Sequence, residues 1–150
     1  LNVREMSDRD AQYVNRVFQT LSDLERIGDY AEQLLHLTER QEEKQVSYSA
    51  AAMQELTVIN DNAIQLFEKA VAAFYRQNIS LDELKRMAKT QRNIRKLTSQ
   101  SQLNHMERLR KGECGVEAGI LFGEILNSLS RVGGHAINIA EAATVPHGME

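Results

Sequence analysis

Four long helical stretches fill this 150-residue chain, three of them with apolar residues at alternating spacings of three and four, and no proline interrupts them before Pro146. That period belongs to helices that pack along one stripe, whereas a strand would alternate every second residue. The first stretch follows Ser7, an N-cap residue with Asp10 three positions on, a variant of the capping box. Its stripe reads Val14, Val17, Leu21, Leu24, Gly28, Ala31 and Leu35. The polar segment from His36 to Tyr48 reads as a loop. The second stretch runs from Ser49 to Gln77, with Ala52, Leu56, Ile59, Ala63, Leu66, Ala70 and Ala73 on one face. Ser80 and Glu83 box the start of the third, which is the most polar. Its apolar positions, Leu84, Met87, Ile94, Leu97, Leu103, Met106 and Leu109, are less regular. Arg108, Arg110 and Lys111 suit the negative end of that helix, and Gly112 suits a stop. The fourth stretch, Gly115 to Ala143, carries Ala118, Phe122, Ile125, Leu129, Val132, Ala136, Ile139 and Ala143, and Pro146 closes it. Short connections after Gln77 and around Gly112 force antiparallel neighbours. The pattern therefore predicts an all-α, antiparallel four-helix bundle in one domain over residues 1–150. A three-helix bundle with the first helix packed elsewhere, on another molecule for instance, is the alternative.

The formal net charge of −3 gives no overall attraction to nucleic acid. A single cysteine, Cys114, forbids an internal disulfide and fits a reducing compartment. No run of eighteen apolar residues reads as a membrane span, and no signal peptide is visible. Residue 1 is Leu, not Met, so the chain reads as a piece excised from a longer polypeptide.

One stretch occurs twice. LSDLERIGDYAEQL from Leu21 aligns with LNSLSRVGGHAINI from Leu126, matching Leu24 to Leu129, Gly28 to Gly133 and Ala31 to Ala136. Similarity at long separation marks two copies of one structural unit. Glycine within a helix costs roughly 1 kcal/mol relative to alanine. Gly28 and Gly133 are therefore expected to mark close helix contacts, and Gly28→Leu is expected to disrupt packing.

Chemistry-bearing residues are few. Glu25, Asp29 and Glu32 line one face of the first helix beside its apolar stripe. Oxygen ligands suit hard cations, but the same spacing also makes a bundle flank paired with Arg26, Arg16 or a neighbouring helix. His36, His105, His135 and His147 lack metal spacing, and the Glu-x-x-His pair of di-iron bundles is absent. Lys85, Lys89, Arg92 and Lys96 form a basic stripe on the third helix. It suits either a docking face for an acidic partner or anionic membrane surface, or an ordinary solvated face. Cys114 has no evident base, and no phosphate-cradling loop occurs, so no enzyme is assembled from these residues.

Leu24-Glu25-Arg26-Ile27-Gly28-Asp29 resembles the LERIGD motif of the PhoU family. The second copy keeps the frame from Leu129 to Ala136 and continues as Asn138-Ile139-Ala140-Glu141. The segment HMERLRKGECGVEAGILFGEIL, from His105, is similar in particular to PhoU-like domains at the C-terminal end of bacterial sodium/phosphate cotransporters. The resemblance implies two consecutive three-helix repeats, of which this chain holds the last helix of one and all of the next. It also implies iron or zinc at motif carboxylates, a role that falls on Glu25 and Asp29. Ser130 and Gly134 occupy the matching places in the second copy, so a cluster held symmetrically by both copies is not expected. The implied function is that of a non-enzymatic regulatory domain on the cytoplasmic side of the plasma membrane. Its partners would be the membrane part of a parent sodium-dependent phosphate transporter and, as a further option, a second copy. A free-standing phosphate-signalling adaptor for a histidine kinase or an ABC-type phosphate transporter is the alternative.

Overall fold

The computed structural model describes residues 5–144, and these form four helices: α1 (Asp8–Glu43), α2 (Ala50–Arg76), α3 (Leu81–Arg110) and α4 (Val116–Ala142). The stop expected at Pro146, and His147, lie outside the described residues. Among those residues the fold is an all-helical bundle without strands.

Local chemistry sets the helix ends. Ser7 and Asp10 form the reciprocal box at the start of α1. Ser49 and Ser80 cap the backbone N–H groups of Ala52 and Glu83. Gln77 closes α2 in the left-handed conformation (φ 51°), and Gly112 follows α3 at φ 71°. That region suits glycine, because a Cβ clashes with the following carbonyl.

One boundary differs from the sequence reading. Residues His36 to Glu43 continue α1 instead of forming a loop. The segment is polar, but it holds good helix formers and no glycine or proline. Leu37 is buried, and Arg40 and Lys44 reach Glu117 on α4. The chain turns only at Lys44–Ser49, where Gln45 has φ 51°.

α2, α3 and α4 form a compact three-helix unit in which all three pairs pack together. The α2 face is the one expected: Ala52, Leu56, Ile59, Ala63, Leu66, Ala70 and Ala73 are all buried. In α3 the buried seam is Met87, Gln91, Ile94, Thr98, Ser101 and His105, whereas Leu103 and Met106 are exposed. The seam keeps the three-four spacing, but polar residues at four of its six positions hide it from a search for apolar periodicity. α4 is the central helix. It contacts the other three and buries residues around most of its circumference, including Leu121, Phe122, Leu126, Ala136 and Ala140.

α1 lies along α4, and near its start Gln77, at the end of α2, donates to the Tyr13 hydroxyl at 3.1 Å. It runs antiparallel to α4: Arg16 donates to the Thr144 carbonyl at one end, and Arg40 pairs with Glu117 at the other. The buried residues of α1 are Thr20, Ile27 and Leu37, with Asp23, Tyr30 and Leu34 half-buried beside them. This is not the heptad stripe of the sequence. Leu21, Leu24, Gly28, Ala31 and Leu35 are exposed, on a face roughly 110° around the helix at 100° per residue. The close contact expected at Gly28 is therefore absent: a Cβ built there would meet nothing within 4 Å. Ile27 turns towards α4, and the next residue along a helix points about 100° away. Gly133 differs. It is buried, and a Cβ there would run into the Gln91 side chain of α3.

Candidate functional site at the α1–α4 junction

Asp23 joins the two copies of the repeated stretch. Its Oδ1 accepts from His135 Nδ1 at 2.8 Å and from Asn138 Nδ2 at 3.1 Å. A carboxylate only accepts, so the shared proton resides on Nδ1 and leaves Nε2 free to accept while the ring is neutral. The Tyr30 ring lies 5.9 Å from that of His135. This bridge divides two open clefts. One, of about 460 Å³, is lined by Gln91, Arg95, Ser130, Arg131, Gly134, His135 and Asn138. The other, of about 580 Å³, lies beside Arg16, Gln19, Ser22, Asp23, Asn138 and Glu141. Nothing in the sequence marks Asp23, because only the crossing of α1 over α4 brings it to residues 112 and 115 positions away.

The positions carried over from the family motif are dispersed. Glu25, Asp29 and Glu32 are all exposed on α1, and Glu32 approaches His36 at 3.8 Å. Ser130 is half-buried, and its carbonyl accepts from Gln91 Nε2 at 3.0 Å. Gly134 is half-buried, with Gln91 at ordinary van der Waals distance from a Cβ placed there. Among the described residues no group of three or more His, Cys, Asp and Glu side chains is arranged to hold a metal ion. Glu25 and Asp29 thus supply a part of the four to eight donors that zinc, iron or harder cations take. Among the described residues no further side chain completes a metal site with them. Elemental analysis of the chain purified with iron or zinc is expected to give well under one ion per chain. One ion per chain, lost in Glu25→Ala/Asp29→Ala, would contradict this.

The basic stripe is fully presented to solvent. Lys85, Lys89, Arg92 and Lys96 are exposed, and among the described residues none forms an ion pair.

A second polar cluster closes the opposite end of the three-helix unit. Arg108 binds Glu55 through two hydrogen bonds of 3.2 and 3.1 Å, and Asn104 donates to the same carboxylate at 2.9 Å. Such a two-pronged pair fixes the end of α3 against the start of α2. Phe122 forms the floor, with the Arg108 guanidinium 5.5 Å, the His105 ring 5.2 Å and the Tyr48 ring 5.6 Å from its centroid. His105 also lies 3.7 Å from Cys114 Sγ, so the thiol does have an imidazole beside it. The sequence hides this pairing because it spans the α3–α4 turn.

Burial holds the His105 imidazole below the usual histidine range; Arg108 acts in the same direction, and Glu55 opposes both. The unfolded chain therefore binds the proton more readily than the folded one. Stability is full above about pH 6.5 and falls as the pH drops towards the depressed folded value. Denaturant unfolding at pH 7.5 and 5.5 is expected to show this fall, and His105→Asn is expected to flatten it. An unchanged slope in the variant would place the titration elsewhere.

No described helix is long and apolar enough to cross a membrane. The three-helix unit and its cap of α1 define the class: a helical bundle with a duplicated motif helix and no assembled catalytic centre among the described residues. Residues 56–143 match the PhoU domain, more than half of the chain, and the chain belongs to that family. PhoU domains are regulatory and non-enzymatic, and the family points to a role in phosphate regulation. Searches of curated proteins and of solved structures found no match. The matched range starts within α2 and ends just after α4, so it covers most of the three-helix unit and leaves α1 outside.

Proposed function

We propose that the chain is the regulatory domain of a sodium-dependent phosphate cotransporter, acting from the cytoplasmic side of the membrane without catalysis. PhoU membership supports phosphate regulation. The observation that carries the finer reading is the likeness of the segment from His105 to Leu126 to the PhoU-like domains of such transporters. In this reading the exposed stripe Lys85, Lys89, Arg92 and Lys96 docks on the acidic lipid surface or on acidic loops of the membrane part. Its field is local, since the net charge is −3 and surface charges are screened within about 10 Å at ordinary ionic strength.

The test is sodium-driven phosphate uptake into membrane vesicles from cells producing the polypeptide that carries this sequence. Reversing the stripe with Lys85→Glu, Lys89→Glu, Arg92→Glu and Lys96→Glu is expected to change the uptake rate at unchanged polypeptide level. Recovery of the polypeptide away from membranes, with no sodium-driven uptake, would overturn the reading in favour of a free-standing adaptor.

A further inference from the structure

The cleft of about 460 Å³ between α3 and α4 is lined by cations and neutral polar groups in a chain that is acidic as a whole. No Asp or Glu lines it, whereas Arg95 of α3 and Arg131 of α4 both do. The two arginines are exposed, and among the described residues neither forms an ion pair. Ser130 and Asn138 add side-chain donors, and His135 adds Nε2 once its ring is protonated. Asp23 is held by His135 and Asn138 and lines the other cleft. Gln91, only 4% exposed, is tied to the Ser130 carbonyl and steadies the wall.

The repeat shows what sets this face apart. Where the first copy has Glu25, Asp29 and Tyr30, the second has Ser130, Gly134 and His135, while Arg26 and Arg131 match. The second copy thus lacks two carboxylates beside the shared arginine and carries an imidazole. Gly134 keeps the wall open, since a Cβ there would meet nothing nearer than Gln91 Nε2 at 3.8 Å.

We propose that this cleft binds a phosphate group. A guanidinium presents paired N–H donors that match the oxygens of an oxyanion, and two of them stand here without a competing carboxylate. Donors reach the cleft from both α3 and α4, which suits a tetrahedral anion. A metal cation would be repelled by the same lining. Phosphate is chosen among oxyanions on the strength of the phosphate-regulation role, and in that choice the inference rests on the proposed function. The site is also linked to α1. Asp23 holds His135 and Asn138, two side chains of the lining, so α1 fixes part of the cleft. An occupant that uses those side chains holds α1 in place in return, because coupling between two binding events is reciprocal.

Calorimetric titration of the chain with inorganic phosphate, at ionic strength held constant with sodium chloride, tests the site. Saturable binding of one phosphate per chain is expected. Arg95→Gln and Arg131→Gln should each weaken it by about tenfold or more, the loss of a charge-assisted contact. Both side chains are exposed, so the melt of the phosphate-free variants should stay at the parent value. Lys89→Gln/Lys96→Gln removes two charges from α3 outside the cleft and should leave binding unchanged. Flotation with phosphatidylcholine vesicles, with and without phosphatidic acid, separates the sources of the group. Saturation by inorganic phosphate identifies the free anion. Capture by phosphatidic acid vesicles alone, lost in Arg95→Gln/Arg131→Gln, identifies a lipid headgroup. Hydrogen exchange of α1 should slow at saturating ligand, and unchanged exchange would overturn the link to α1. Binding of neither probe would overturn the site, as would equal losses in the cleft and control variants. The isolated chain is used throughout, so failure here is distinct from failure of the sodium-driven uptake test.

Discussion

Gly133→Leu is expected to cost the fold about 2–5 kcal/mol, and Gly28→Leu to cost it nothing measurable, although the two glycines are aligned in the repeat. At position 133 the new Cβ would enter the space of the Gln91 amide, and Gln91 Cδ stands 3.0 Å from it. Gln91 is 4% exposed and donates to the Ser130 carbonyl, so it cannot withdraw without stranding a buried amide. Overpacking typically costs about 1–3 kcal/mol, and an unsatisfied buried polar group a similar amount again. At position 28 the side chain enters open solvent, and leucine is the better helix former by several tenths of a kcal/mol. Chemical denaturation of the two variants at dilute concentration separates them. Equal losses would mean that α1 packs through its heptad stripe after all.

Phe122→Ala is expected to remove about 3–5 kcal/mol, the usual cost of emptying a phenylalanine site. Phe122 is fully buried, and its ring is shared by Tyr48, His105 and Arg108. Its loss opens a cavity under the Glu55–Arg108 pair, the most buried ion pair among the described residues, whose side chains are only 20% and 12% exposed. A half-buried pair with its packing removed admits water and loses most of its advantage over two solvated ions. Thermal unfolding should drop by roughly 6–20 °C for a domain of this size. Phe122→Leu, which keeps much of the volume, should lose less than half as much. A loss below 1 kcal/mol for the alanine variant would show that the ring is not a floor of the core.

How much of this was legible in the sequence depends on whether a helix spends its apolar residues on its own bundle. α2 and α4 do so, and their buried faces read directly from three-four spacing. α3 packs through Gln91, Thr98, Ser101 and His105, residues that periodicity counts as polar, so its register was invisible. α1 shows the opposite case. Its spacing is as regular as theirs, but the stripe it defines is the face that α4 does not cover. A pattern records that a face is meant to be buried; it does not say against what. The candidate site followed the same logic. Glu25 and Asp29 stood out by spacing and remain solvent-exposed, whereas Asp23, unremarkable in sequence, bridges to His135 and Asn138 across the helix crossing.

Native-state hydrogen exchange tests the three-plus-one arrangement most directly. α1 packs along α4, meets α2 only near the Tyr13–Gln77 hydrogen bond among the described residues, and leaves its leucine seam wet, so it should open as a unit while α2, α3 and α4 stay closed. Its amides should exchange at least about a hundredfold faster than those flanking Ile59, Ile94 and Leu126, a difference of about 2.7 kcal/mol. Equal protection across all four helices would contradict the arrangement, because it would make α1 an integral wall of a single four-helix core.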